Sequence, residues 1–133
     1  MSEVILLDTH IWLWLINGNF EKFPSQWLDK IESADRVGVS PLSCYEIALA
    51  HDKGRILLPS TAQDWFRRAL VPAGIELFPL NESIAACAID LSPVHRDPFD
   101  RMIIATALEY DAKLASVDSL FPKYAELTDH LMT

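Results

Sequence analysis

The sequence predicts an α/β domain: a central parallel sheet of about four or five strands flanked by helices. Two observations predict it. Short apolar runs such as Val4-Ile5-Leu6-Leu7 and Leu114-Ala115-Ser116-Val117 alternate with longer stretches of helical periodicity. One or two helical stretches follow each strand-like run, which is the connection that parallel strands covered on both faces require. With 133 residues, 50% of them hydrophobic, the chain reads as one domain, 1–133, around a single core.

The elements follow in order. Residues 3–7 read as an apolar strand, and Thr9 to Asn17 as a helix, apolar nearly all round, that stops at Asn17-Gly18. Pro24-Ser25 starts a second helix with Trp27, Leu28 and Ile31 on one face. Residues 36–40 are the next strand, and Pro41 begins a helix that stops near Gly54. Residues 56–59 are extended; Thr61 caps a helix carrying Trp65, Phe66 and Leu70, which Pro72 and Gly74 terminate. Residues 75–78 form a strand, and Asn81 caps a helix reaching Ile89 to Leu91. A loop over residues 92–96 leads to a helix from Pro98 to Tyr110, then a strand over 113–117 and a last strand near 126–128. There is no internal repeat, low-complexity segment or linker.

Composition narrows the function classes. No apolar run approaches the ~20 residues that cross a bilayer, and the acidic start Met1-Ser2-Glu3 is unlike a signal peptide. Cys44 and Cys87 fall inside helical patterns and read as small buried hydrophobes of a reducing cytoplasm. Two thiols and four histidines without ligand spacing make no zinc site. The net charge of −8, from 11 Lys+Arg against 19 Asp+Glu, argues against a general nucleic-acid binder. Basic residues recur in pairs (Lys53 with Arg55, Arg67 with Arg68, Arg96 with Arg101), equally readable as solvated helix ends or phosphate contacts.

Four acids stand where apolar runs pass into helices or turns: Asp8, Glu46, Asp100 and Asp118. In an open parallel sheet, residues just past the carboxyl ends of the strands converge on one crevice. Two carboxylates about 4 Å apart repel by ~4 kcal/mol at an effective dielectric of ~20, so such a cluster is either protonated or neutralised by a cation. Oxygen-only donors suit Mg²⁺ or Mn²⁺, and those ions serve phosphate chemistry. Each acid also has a plain alternative. Asp8 can cap the helix at Thr9, Asp118 can open a turn, and Asp97, before Pro98, is a strong cap with Asp100 at the third helical position. Glu46, among Ile47, Ala48 and Leu49, is harder to explain by capping. Thr9 and Ser43 could hold the acids or satisfy backbone at helix starts, and His95 and Arg96 could touch phosphate or lie in a solvated loop.

Three segments carry a resemblance: Leu6-Leu7-Asp8-Thr9-His10, Ser40-Pro41-Leu42-Ser43-Cys44-Tyr45-Glu46-Ile47-Ala48, and the segment from His95 through Asp97-Pro98-Phe99-Asp100 to Ala105. With Leu114-Ala115-Ser116-Val117-Asp118, their order and spacing resemble the PIN-domain family over essentially the whole chain, nearest to its VapC-type toxins. The resemblance implies a PIN-like three-layer fold and a Mg²⁺- or Mn²⁺-dependent endoribonuclease. Asp8, Glu46, Asp100 and Asp118 would be the acidic quartet, and Asp97 a helix cap, a ligand through water, or both. It also implies an RNA substrate, a homodimer or higher toxin–antitoxin assembly, and an antitoxin that blocks the site. Relatives often carry a lysine shortly after the middle acid, where this chain reads Ala50-His51-Asp52-Lys53-Gly54, so Lys53 is the candidate stand-in.

Trp12 and Trp14 lie on different sides of one helix, so one or more of Trp12, Trp14, Trp27 and Trp65 is expected at an antitoxin groove or dimer face. Two other classes remain. A PIN-fold interaction module without catalysis would keep the fold but not the geometry. A phosphoacceptor domain would need an acidic pair after the first strand and a late lysine, where this chain has Asp8-Thr9-His10 and Asp118.

Overall fold

A computed structural model of the chain, described for residues 3–94 and 97–133, contains a four-stranded parallel sheet in the order β3-β2-β1-β4. The apolar run after Glu3 forms β1 (Val4–Leu7), and the chain turns at Asp8 into α1 (Thr9–Asn17), closed by Gly18 at φ 76° in the left-handed region. α2 (Gln26–Ser33) leads to β2 (Arg36–Val39), then come α3 (Pro41–Asp52) and α4 (Ala62–Ala69). β3 (Glu76–Leu77), α5 (Glu82–Asp90), α6 (Pro98–Glu109) and β4 (Lys113–Ala115) follow. The caps at Thr61 and Asn81 are those the sequence signals, while Ser40, expected as the end of the strand, caps α3 instead. Ser40, Thr61 and Asn81 accept from Leu42 N–H, Asp64 N–H and Ile84 N–H at 3.1, 3.2 and 2.9 Å.

Strand alternation divides the core into two layers. Ile5 and Leu7 of β1 pack with Val37, Val39 and the apolar faces of α1 to α4, among them Ile11, Trp12, Trp27, Ile47 and Trp65. Leu6, pointing the other way, packs with Leu114, Phe78 and Ile103, Ile104 and Ala107 of α6. Ile5, Leu6 and Leu7 are all fully buried, which is why β1 reads as an unbroken apolar run instead of an alternating one. Gly38, in β2, lies under the Phe78 ring so closely that a Cβ there would collide with it.

Three strand expectations change, those over 75–78, over 113–117, which stops at Ala115, and over 126–128. The strand expected over 75–78 keeps only Glu76–Leu77, because Ile75 N–H bonds Leu70 O at 3.0 Å in the preceding turn. Residues 56–59 run between α3 and α4 without pairing, with Ile56 and Leu58 on the core and Leu57 91% exposed. The last strand is not at 126–128: Ala125–Leu127 is a 3₁₀ turn, and the sheet gains instead a parallel bridge from Leu131 to Leu114. The turn wins because Leu127 and Thr128 N–H close onto Tyr124 and Ala125 carbonyls while Glu126 is drawn to Ser92.

The order of the strands decides where a site can form. From β1 the chain moves outward through β2 to β3, then returns to the other side of β1 with β4. The carboxyl ends of β1 and β4 flank the point where strand order reverses, the usual crevice of an open α/β sheet.

Candidate active site

The acids arrive from four places. Asp8 follows β1, and its N–H donates to Ala115 O at 3.0 Å, extending the β1–β4 ladder by one residue. That brings Asp8 beside Ser116, whose hydroxyl donates to Asp8 Oδ2 at 2.7 Å. The same Ser116 oxygen accepts Asp118 N–H at 3.1 Å, while Asp118 Oδ1 accepts Leu120 N–H at 2.8 Å. Asp8 Oδ1 accepts Thr9 N–H at 2.8 Å, capping α1. Capping and site placement are therefore compatible for Asp8: one carboxylate oxygen holds the helix and the other faces β4.

Glu46 reaches the cluster from the second turn of α3. Its Oε1 accepts the Thr9 hydroxyl at 2.9 Å, and the Thr9 and Ser43 hydroxyls meet at 2.8 Å. A hydroxyl has one proton; Thr9 gives its own to the carboxylate, so Ser43 donates to Thr9. Thr9 and Ser43 are both buried, which makes this relay a fixed support for Glu46. Asp97 caps α6, accepting Phe99 N–H at 2.9 Å, and Asp100 stands in that helix's first turn.

Asp8, Glu46, Asp97, Asp100 and Asp118 all line one open cleft of about 340 Å³, together with Thr9, His10, Ile11, Trp14 and Val117. Burial pushes the Asp8 carboxyl above its ordinary range, opposed by the Ser116 hydroxyl and Thr9 N–H and reinforced by Asp118. Burial likewise raises Glu46, opposed by Thr9 and reinforced by the charges of Asp8 and Asp97. Burial first, and neighbouring negative charge second, thus holds Asp8 and Glu46 against ionisation. Among the described residues no three of these side chains are already closed around one point; they ring the cleft. Their oxygen donors fit a hard divalent cation, whose charge would offset the burial that chiefly raises Asp8 and Glu46 and the smaller repulsion from their acidic neighbours.

Of the other expectations, Ser43 stands behind Thr9 and not on the cleft, and Arg96, with His95, lies outside the described residues. Lys53 is exposed at the end of α3. Arg55 is the cation that lines the neighbouring pocket, which shares Thr9, His10 and Glu46 with the cleft. Arg101 is not available as a phosphate contact: its guanidinium donates to Ala88, Ile89, Leu91 and Ser92 carbonyls at 2.8–3.3 Å, tying α6 to the end of α5. Arg67 pairs with Asp64 at 3.1 Å and Arg68 bonds the Ser60 hydroxyl at 2.7 Å. Trp12, Trp27 and Trp65 are buried, so the expected exposed tryptophan can only be Trp14, which is half-buried on the cleft wall. The sequence assigns no role to Ser116 or His10, and leaves Arg55 open between a solvated position and a phosphate contact. The signal for Ser116 was present: in an extended segment, positions 116 and 118 point to the same side.

Residues 5–127 match the family of the PIN domain, all but the two ends of the chain. The chain belongs to the PIN-domain family. This PIN domain is 30% identical over 115 residues to Ribonuclease VapC22 of Mycobacterium tuberculosis, covering 86% of each protein. Among solved structures it is similar to VapBC2 from Rickettsia felis bound to a promoter DNA fragment (TM-score 0.68, 14% identity, 92% of this chain and 94% of that one). It is also similar to a toxin–antitoxin complex from Klebsiella pneumoniae (TM-score 0.61, 16% identity, 97% and 96% covered). At those identities the structural likeness concerns the fold, and it agrees with the parallel sheet and flanking helices expected of a PIN domain.

Proposed function

We propose that this PIN domain is a Mg²⁺- or Mn²⁺-dependent endoribonuclease toxin that hydrolyses RNA phosphodiester bonds in the cytoplasm and is held inactive by a cognate antitoxin. The observation that carries the reading is the convergence of Asp8, Glu46, Asp97, Asp100 and Asp118 on one cleft. The relation to Ribonuclease VapC22 supports RNA as the substrate, and the likeness to toxin–antitoxin complexes supports an antitoxin partner. A homodimer, alone or within a larger toxin–antitoxin assembly, belongs to the same proposal. No helix among the described residues is long and apolar enough to cross a membrane.

Asp8, Glu46, Asp100 and Asp118 would hold the cation, with Asp97 as a ligand through water that keeps its cap on α6. The ion supplies positive charge that favours water ionisation and charge build-up on the phosphate. The protein's own residues do the positioning. Ser116 fixes Asp8 relative to Asp118, and the Ser43–Thr9 relay fixes Glu46.

The test is incubation of antitoxin-free protein with a mixed RNA pool in Mg²⁺, Mn²⁺ or EDTA, beside Asp100→Asn. Cutting that needs the metal and disappears in the variant is expected. Equal cutting in EDTA, or by Asp100→Asn, would contradict the assignment; no cutting in any metal would favour a PIN-fold interaction module.

A further inference from the structure

The cleft poses a binding problem that the carboxylates do not solve. Its described lining contains five acids and no lysine or arginine, in a chain of net charge −8. Among the described residues, the lining itself offers a polyanionic strand little of the phosphate–cation attraction that usually dominates nucleic-acid affinity, and Arg55 stands only in the neighbouring pocket. Attraction that is indifferent to charge must then come from the bases, and base–aromatic stacking is the strongest such contact to a single strand.

One wall of the cleft offers it. His10 and Trp14 are four residues apart on α1 and so share a helix face, with ring centroids 5.5 Å apart and planes inclined at 40°. Both line the acidic cleft; His10 is exposed and Trp14 half-buried. The other tryptophans are accounted for inside the fold. Trp12 donates to Ala69 O at 2.9 Å, Trp65 to Asn17 Oδ1 at 3.2 Å, and Trp27 stacks on Phe23. Of the four tryptophans, Trp14 is the one that lines the cleft; it makes no bond in the Ser116 or Ser43–Thr9 relays, and His10 acts on the acids only through its charge beside Asp8.

We infer that His10 and Trp14 form a nucleobase-stacking subsite at the rim of the acidic cleft, binding a base that flanks the phosphodiester to be cut in single-stranded RNA. This rests on the ribonuclease reading of the cleft. Stacking tolerates any base, so the pair supplies affinity and position and leaves sequence choice to other contacts. Duplex RNA, whose bases are already stacked on one another, is excluded from the subsite.

The test maps the cut made by the wild type in a single-stranded oligoribonucleotide. It then compares kcat/KM for that substrate with kcat/KM for oligomers carrying one abasic ribose on either side of the cut. The wild type is expected to lose about tenfold on one of the abasic substrates, the loss typical of one stacked base. Trp14→Leu and His10→Ala should cut the intact oligomer less efficiently and lose that discrimination, while Trp14→Phe keeps it. Thermal unfolding identifies a Trp14→Leu protein that fails to fold; exposed His10→Ala then carries the comparison. Cutting by the wild type with no abasic effect, or with the effect unchanged in His10→Ala, overturns the subsite alone. A wild type that cuts no RNA in any metal overturns the ribonuclease reading, and the subsite with it.

Discussion

The Ser116 hydroxyl binds Asp8 Oδ2 at 2.7 Å and thereby links two residues 108 positions apart in sequence, the ends of neighbouring parallel strands. Because the same oxygen also accepts Asp118 N–H, one side chain sets the spacing of the first and last acids of the cleft. Ser116→Ala removes the hydroxyl donor that holds the Asp8 carboxyl down, so that carboxyl moves further up. We expect divalent-ion affinity to fall about 10–100-fold, the usual effect of losing a residue that orients a ligand. Calorimetric Mn²⁺ titration of wild type and variant measures it; an unchanged affinity would remove Ser116 from the site.

Thr9 and Ser43 separate by the direction of their protons. Thr9→Val takes away the donor to Glu46 and leaves the buried Ser43 hydroxyl facing a methyl group. The expected loss is roughly 1–3 kcal/mol of folding stability. Ser43→Ala leaves the Thr9–Glu46 bond in place and should cost less in both stability and activity. Urea unfolding of the two variants decides the order, and a Ser43→Ala variant worse than Thr9→Val would reverse the proton assignment.

The pH dependence has a defined sign. Asp8 and Glu46 titrate above their ordinary values of 3.8 and 4.5 in the fold, so over that interval the native protein holds more protons than the unfolded chain. Their contribution to the stability of metal-free protein falls as pH rises from the ordinary values through the raised ones, and is constant beyond. Asn is as good a helix cap as Asp. Asp8→Asn should therefore gain on the wild type across that window and hold the gain at neutral pH. Thermal melts in EDTA over a pH series measure it; a variant that gains nothing on the wild type would show that the fold does not raise the Asp8 carboxyl.

Gly38→Ala addresses the frame that carries the site. A Cβ at Gly38 would meet the Phe78 ring, which is buried, stacked on Tyr110 at 4.5 Å and covered by the Arg36 guanidinium at 4.9 Å. With no free direction for the ring to move, overpacking should cost about 1–3 kcal/mol. Chemical denaturation reads it directly.

Much of this was legible in the chain because local signals and tertiary demands agree. The bounds of α1, the caps Thr61, Asn81 and Asp97, and the positions of the five acids follow from residues next to one another. What was not legible depends on partners far away in sequence. Residues 75–78 have strand composition, but Leu70 O takes the Ile75 N–H, and no local pattern announces that. The last strand was misplaced because Leu131, not residues 126–128, finds the open edge of β4. Arg101 looked like a phosphate contact and proved to be the fastening between α5 and α6. The role of Trp14 required knowing which side of α1 the sheet covers.

The central claim is that the electrostatic conflict among Asp8, Glu46 and their neighbours is resolved by a divalent cation. Mn²⁺ titration of the antitoxin-free protein at mildly acid pH, in buffers of different ionisation enthalpy, tests it most directly. Binding is expected with proton release, weakened about 10–100-fold in Asp8→Asn and in Asp100→Asn. A folded wild type that binds no Mn²⁺, or variants that bind it as tightly as the wild type, would contradict the account.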